Sequence, residues 1–190
     1  MAKVISTLDD AISSVNVIFE ADSTPPVYGD EDYSLWTSLI NMAVNLWENE
    51  EGQLWKELYT TLDDAASTVT KTITAGVYDY TCPTDLTFPV GKVRTVNNSI
   101  STYYTVLKPE DVQLYDDTSG DWCYFTGNAS AGFILHFNPD LTLVTGDTIA
   151  YEYYKTATKL TIAASTFEMS DPMFAVYYCL SELKKEEGDT

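Results

Sequence analysis

The sequence predicts an α+β fold: a small helical bundle formed by N- and C-terminal helices, with an inserted antiparallel β-sandwich/barrel-like module. Three observations predict it. Apolar residues recur at steps of three and four from Val4 to Phe19 and again between Tyr33 and Leu62, the period of a helix face. From residue 65 to 165 the period falls to two, and clusters of turn residues punctuate it. At Ser170-Asp171-Pro172 the helical period resumes behind a capping side chain and a first-turn proline. The expected parts are therefore 1–64, the N-terminal part of the bundle; 65–165, the inserted β module; and 166–190, the C-terminal helix and tail.

Each element has its own signal. Val4, Leu8, Ile12, Val15 and Phe19 trace one face of a first helix, and Thr7 and Asp10 have capping-box spacing. Pro25-Pro26 and Gly29, set among acids, make 21–32 a loop. A second helix starts near Asp30 or Asp32 and carries Tyr33, Trp36, Ile40, Ala43 or Val44, and Trp47 on one side. Gly52 interrupts it. Leu54, Trp55, Leu58 and Leu62 then resume helical spacing, which predicts a kinked helix or two helices meeting near Glu50 to Gln53.

Strands are expected at 68–74, at Tyr78-Asp79-Tyr80 ahead of Pro83, and at 90–96, 102–107 and 121–126. The clearest alternations set Phe133, Leu135 and Phe137 against Ile134 and His136, and Ile149, Tyr151 and Tyr153 against Ala150, Glu152 and Tyr154. Turn clusters at Asn97-Asn98, 116–120, 127–132 and Thr145-Gly146-Asp147 separate them, and Pro109-Glu110-Asp111 opens one helical turn. The total is about seven or eight short strands, the pattern of a sandwich or barrel. In the last helix Met173, Val176, Tyr177, Leu180, Leu183 and Lys184 trace a stripe, and Gly188 marks its end.

Composition bounds the function. The chain has 190 residues, 29 acidic and 10 basic, for a net charge of −19, yet 45% of residues are hydrophobic, enough for a packed core. A single arginine, Arg94, argues against gripping nucleic-acid phosphates or docking on an anionic membrane. No apolar run reaches membrane-spanning length, and Met1 to Asp10 lacks the apolar core of a secretory signal. Cys82, Cys123 and Cys179 are odd in number and widely spaced, so free thiols are expected rather than a disulfide or metal site. Asn97-Asn98-Ser99 and Asn128-Ala129-Ser130 match the glycosylation pattern but read as turns.

The inventory of catalytic residues is thin. His136 is the sole histidine, and no strand-turn-helix GxSxG accompanies it. Acid pairs at Asp9-Asp10, Asp63-Asp64 and Asp116-Asp117 read as solvated turns among many acids. The run from Asp116 to Asp121 offers oxygen ligands in a glycine turn but lacks the length and terminal Glu of an EF-hand loop. No phosphate-cradling glycine loop is present. No catalytic residue, metal ligand or cofactor is therefore nominated. Aromatics are the conspicuous class, with 14 tyrosines and 4 tryptophans. Trp36, Trp47, Trp55, Tyr177 and Leu180 are assigned to helix packing. Tyr103, Tyr104, Tyr151, Tyr153 and Tyr154 alternate between strand faces and are nominated as interface aromatics, suited to protein contacts or sugar stacking.

Leu46-Trp47 through Leu54-Trp55-Lys56-Glu57-Leu58, Ala75-Gly76-Val77-Tyr78-Asp79-Tyr80 and Cys82-Pro83-Thr84-Asp85 together form a diffuse pattern of aromatics and turns. Ile149 to Lys155, Lys159-Leu160 and Met169-Ser170-Asp171-Pro172 continue it. Over 30–187 this order resembles the head-to-tail adaptor proteins of tailed bacteriophages, the group of tail tubular protein A and related connector or gatekeeper proteins. The resemblance implies a structural virion protein without catalytic activity, assembled in the host cytoplasm and placed in the neck. It implies a ring, usually of twelve copies, beneath the portal protein. Such a ring extends the channel for double-stranded DNA without binding it specifically, helps retain the packaged genome, and docks the tail or a second neck protein. It involves no membrane. By position, the segment reaching toward the portal corresponds to Leu183, Lys184, Lys185, Glu186 and Glu187.

The charge fits a channel wall that lets DNA slide. Residues 1–60 carry −9 (2 basic, 11 acidic), 61–165 carry −6 (6 basic, 12 acidic) and 166–190 carry −4 (2 basic, 6 acidic). The helical ends are denser in acid than the β region, although ordinary solvated helix faces fit the same numbers. Two other functions compete: a carbohydrate- or protein-binding β-sandwich acting as a tail accessory, and an acidic hydrolase using two carboxylates.

Overall fold

A computed structural model describes residues 5–20, 24–64, 69, 71–114, 120–128 and 130–186. The chain forms two compact units, one of residues 1–57 with 157–190 and one of residues 58–156.

The first unit is helical. Helix α1, Leu8–Phe19, begins where the capping box closes: Thr7 Oγ1 accepts from Asp10 N–H, and the Asp10 carboxylate accepts from Thr7 N–H, both at 3.2 Å. Leu8, Ala11, Ile12 and Val15 are buried on one face. Helix α2, Glu31–Glu48, buries Tyr33, Trp36, Leu39, Ile40, Ala43 and Val44, with Glu31 and Asp32 complementing the dipole of its first turn. Helix α3, Met173–Glu186, starts behind Pro172, where Asp171 Oδ1 accepts from Met173 N–H at 3.1 Å. It packs against both other helices. Its buried stripe is Ala175, Val176, Cys179, Leu180 and Leu183. Tyr177, expected in that stripe, is 62% exposed instead, because the turn of the helix directs Val176 and Cys179 inward.

The segment leading to α3 is bound into this unit by backbone and side chain. Thr7 bridges Thr166, and Leu8 N–H donates to Ser165 carbonyl at 2.8 Å. Asn41 of α2 clasps Leu160 twice: its Nδ2 donates to the Leu160 carbonyl and its Oδ1 accepts from Leu160 N–H, each at 2.9 Å. Leu160 itself is buried.

The expected continuation of helix through Leu54, Trp55, Leu58 and Leu62 is not formed. Helix α2 ends at Glu48, and Gly52 takes a left-handed φ of 77° in the turn that follows. A 3-10 turn, Lys56–Leu58, leads to strand β1, Tyr59–Thr61, and a second 3-10 turn, Leu62–Asp64, closes the stretch. Leu58 and Leu62 are both buried, so their spacing mimics a helix face although a strand of one tyrosine and two β-branched threonines lies between them.

The described residues of the second unit form one seven-stranded sheet curled into an open half-barrel. Its further strands are β2 (Asp79–Thr81), β3 (Leu86–Asn97), β4 (Ile100–Leu107), β5 (Trp122–Asn128), β6 (Gly132–Phe137) and β7 (Thr148–Lys155). The order is β1-β7-β3-β4-β5-β6-β2. Five pairings are antiparallel. The sixth, β4 with β5, is parallel, and its crossover includes the 3-10 turn Pro109–Leu114 that the proline announced.

Local chemistry explains the joints. Asn98 and Ser99 both have positive φ, as a two-residue hairpin turn between β3 and β4 requires. Gly91, at φ 72°, sits in the register shift between Val90 and Arg94 that bends β3. Pro89 is tolerated in β3 because β4 pairs only from Val93 onward. Within the described part of 68–74 the expected strand reduces to a single bridge, Thr72 to Thr148, since the chain turns at Thr74 to Val77. The core gathers Leu62, Ile73, Leu86, Leu135, Ile149 and an aromatic group in which Tyr80 and Tyr104 meet Phe137 edge-on, with centroids 5.8 and 4.9 Å apart.

Candidate functional site

Chemistry-bearing side chains converge at one place in the β unit. Register sets Asp79 of β2 and Tyr124 of β5 on either side of His136 in β6. The imidazole Nδ1 lies 2.7 Å from Asp79 Oδ1, Nε2 lies 2.7 Å from Thr126 Oγ1, and the ring stacks on Tyr124 at 4.6 Å. A carboxylate behind a histidine and a hydroxyl before it is the connectivity of a proton relay. Here the row lies on the strand face opposite buried Leu135 and Phe137, with Asp79 exposed, and it acts as a polar clasp across β2, β6 and β5.

The thiols are inert by environment. All three are free and buried, and burial pushes Cys123 and Cys179 up to about 12 and raises Cys82. Asp116 and Asp117 lie outside the described residues. Among the described residues no three His, Cys, Asp or Glu side chains gather as a metal site, and no helix is long and apolar enough to cross a membrane.

The five nominated interface tyrosines do not form one platform. Tyr104, Tyr151 and Tyr153 belong to the core of the sheet, because the buried face of β7 runs through Ile149, Tyr151 and Tyr153. Tyr103 is exposed, and Tyr154 is half-buried edge-on to Tyr59 at 5.7 Å. Of the nominated C-terminal segment, Leu183 is buried in the helical core. Lys184 and Lys185 are exposed, with Lys185 Nζ 2.5 Å from Glu182 Oε1. Glu186 is the last residue of α3, and Glu187 lies outside the described residues.

The tryptophans assigned to packing divide in two. Trp36 is buried, as is Leu180. Trp47 and Trp55 are half-buried and stack on each other at 5.3 Å, with Trp55 Nε1 donating to the Trp47 carbonyl. They line a groove of about 430 Å³ in the helical unit, together with Leu46, Glu50, Glu57, Met169, Ser170, Asp171 and Phe174. The Ser170 hydroxyl donates to Glu57 Oε1, and that bond, foremost among the influences on Glu57, holds its carboxyl below the ordinary range. The spacing on either side of Gly52 predicts helix packing for both indoles in a kinked helix or two helices; instead the chain turns at Gly52 and the two indoles stack.

The sequence model of the SU10 adaptor protein family matches residues 6–189, and so spans both units. This chain belongs to that family. The SU10 adaptor proteins are phage head-to-tail adaptors, so the chain is a structural component of a virion neck that associates with other virion components. The head-to-tail resemblance drawn from the aromatics and turns is thereby established. No curated protein matches this SU10 adaptor.

Proposed function

We propose that the chain is the repeating subunit of a ring that joins portal to tail, extends the DNA channel and helps retain the packaged genome. The observation that carries this reading is the family match across nearly the whole chain, helical and β units alike. Charge supports it. A net −19 with one arginine, itself paired to Glu152 at 2.9 Å, gives a surface along which duplex DNA moves without being held. We take the ring to have twelve copies, the exposed Lys184 and Lys185 at the end of α3 to face the portal, and a tail or second neck protein to cover the opposite side.

Electron microscopy of tailed particles, and of the purified protein mixed with a portal ring, tests this. The expected result is a closed ring of this protein against the portal. Particles that lack the protein would overturn it. Self-assembly without a portal is expected to improve with added salt, because screening weakens repulsion between acidic subunits.

A further inference from the structure

The groove holds three aromatic side chains, Trp47, Trp55 and Phe174, and three carboxylates, Glu50, Glu57 and Asp171, with no Lys or Arg among its lining residues. Lys56 is next to Glu57 in the chain but is exposed and outside the lining. Stacked indoles present electron-rich faces, and carboxylates beside them supply full charge, so the two together select a flat, delocalised cation. One acceptor is already waiting. Glu57 is half-buried; its Oε2 has no hydrogen-bond partner, while Oε1 is held by Ser170. An unpaired carboxylate oxygen gains a charge-assisted bond when a donor arrives.

We propose that this groove receives the arginine side chain of an apolar-flanked segment from a different virion protein, the guanidinium lying against the indoles and donating to Glu57. The inference rests on the adaptor reading for the class of partner. Charge excludes the nearer candidates. A second copy brings net −19 and a single arginine, Arg94, which is already paired with Glu152. Residues 187–190 of this chain carry two acids and no cation. Nucleic-acid phosphate is repelled by the three rim carboxylates.

The test titrates the full chain with a capped Leu-Arg-Leu peptide and with the same peptide carrying citrulline, which keeps the shape and removes the charge. Tryptophan fluorescence and the indole N–H resonances report the groove. Saturable binding of the arginine peptide is expected, weakened about tenfold or more by citrulline and by Glu57→Gln, with the circular dichroism of the variant unchanged. Equal binding of the two peptides, no saturable binding, or an unaffected Glu57→Gln variant overturns the inference. Glu50→Gln serves in the same role if Glu57→Gln does not fold. In assembled particles, a photo-cross-linking side chain in place of Leu46 is expected to capture an arginine-bearing segment of another protein, and capture of a second copy of this chain overturns the inference. If the protein forms its ring in particles and the peptide does not bind, only the groove assignment falls. If the peptide binds and the particles lack the protein, the ring reading falls instead.

Discussion

Replacing Asn41 by alanine should loosen the helical unit by about 3 kcal/mol. Its amide closes a two-bond clasp on the backbone of Leu160, both bonds at 2.9 Å, and the residue it grips is only 2% exposed. The stranded N–H and C=O of Leu160 cost about 1–3 kcal/mol each where water cannot reach them. Water entering the space left by the amide recovers part of that, which brings the sum to about 3 kcal/mol. Asn41→Asp keeps the acceptor but sets a carboxylate against the Leu160 carbonyl, so its cost should shrink as pH falls and the carboxyl protonates. The assay is urea unfolding followed by fluorescence. Trp36, Trp47 and Trp55 lie in the helical unit and Trp122 in the sheet, so replacing Trp122 by phenylalanine isolates the helical signal. Ser38→Ala, whose exposed hydroxyl only bonds back to Ser34, is the control and should stay within about 0.5 kcal/mol. An Asn41→Ala effect as small as the control's would refute the reasoning.

Other outcomes follow from single features. Gly127→Ala should cost more than about 2 kcal/mol or prevent folding, because Gly127 has φ 99° and an added Cβ would lie 2.1 Å from the Gly132 carbonyl oxygen; thermal melting reads it. Glu48 titrates above its ordinary 4.5, chiefly because burial penalises its charge and in lesser part because Glu168 is near, against a bond from Ala157 N–H that favours the charge. The ionised form is thus less welcome in the folded chain than in the unfolded one. Glu48→Gln should raise Tm at pH 7, and the gain should vanish as pH falls below that ordinary value, where both states are protonated. The three cysteines should resist a thiol reagent at pH 8 in the native protein and all react in denaturant, as counted by absorbance. Native labelling of Cys123 would contradict its burial.

Much of the fold was legible because local chemistry and final packing agreed. The Thr7–Asp10 box, the Ser170-Asp171-Pro172 start and the alternation through Phe133 to Phe137 each named an element that formed. The stretch from Leu54 to Leu62 failed because two buried leucines four apart satisfy a helix as well as a strand flanked by 3-10 turns. What decided between them was pairing with β7, nearly a hundred residues away in the chain. The tyrosines misled for a related reason: period two shows that neighbours face apart but not which face meets the core. In β7 it is Tyr151 and Tyr153 that do. The groove was invisible in one dimension, since it joins Trp47, Trp55 and the segment around Ser170.

The pairing of β1 with β7 bears on the order of folding. Leu58 and Thr156 bound the sheet unit, and the register sets Tyr59 directly opposite Tyr154. Until those strands meet, bringing α3 back to α1 and α2 means closing a loop of about a hundred residues, an entropic cost near 4 kcal/mol on the (3/2)RT ln n scale. Once they meet, about 27 residues remain between the end of α2 and the start of α3, and the cost falls by about 1 kcal/mol. The sheet thus works as a clip on the chain, and the three helices are easier to bring together once the clip has shut.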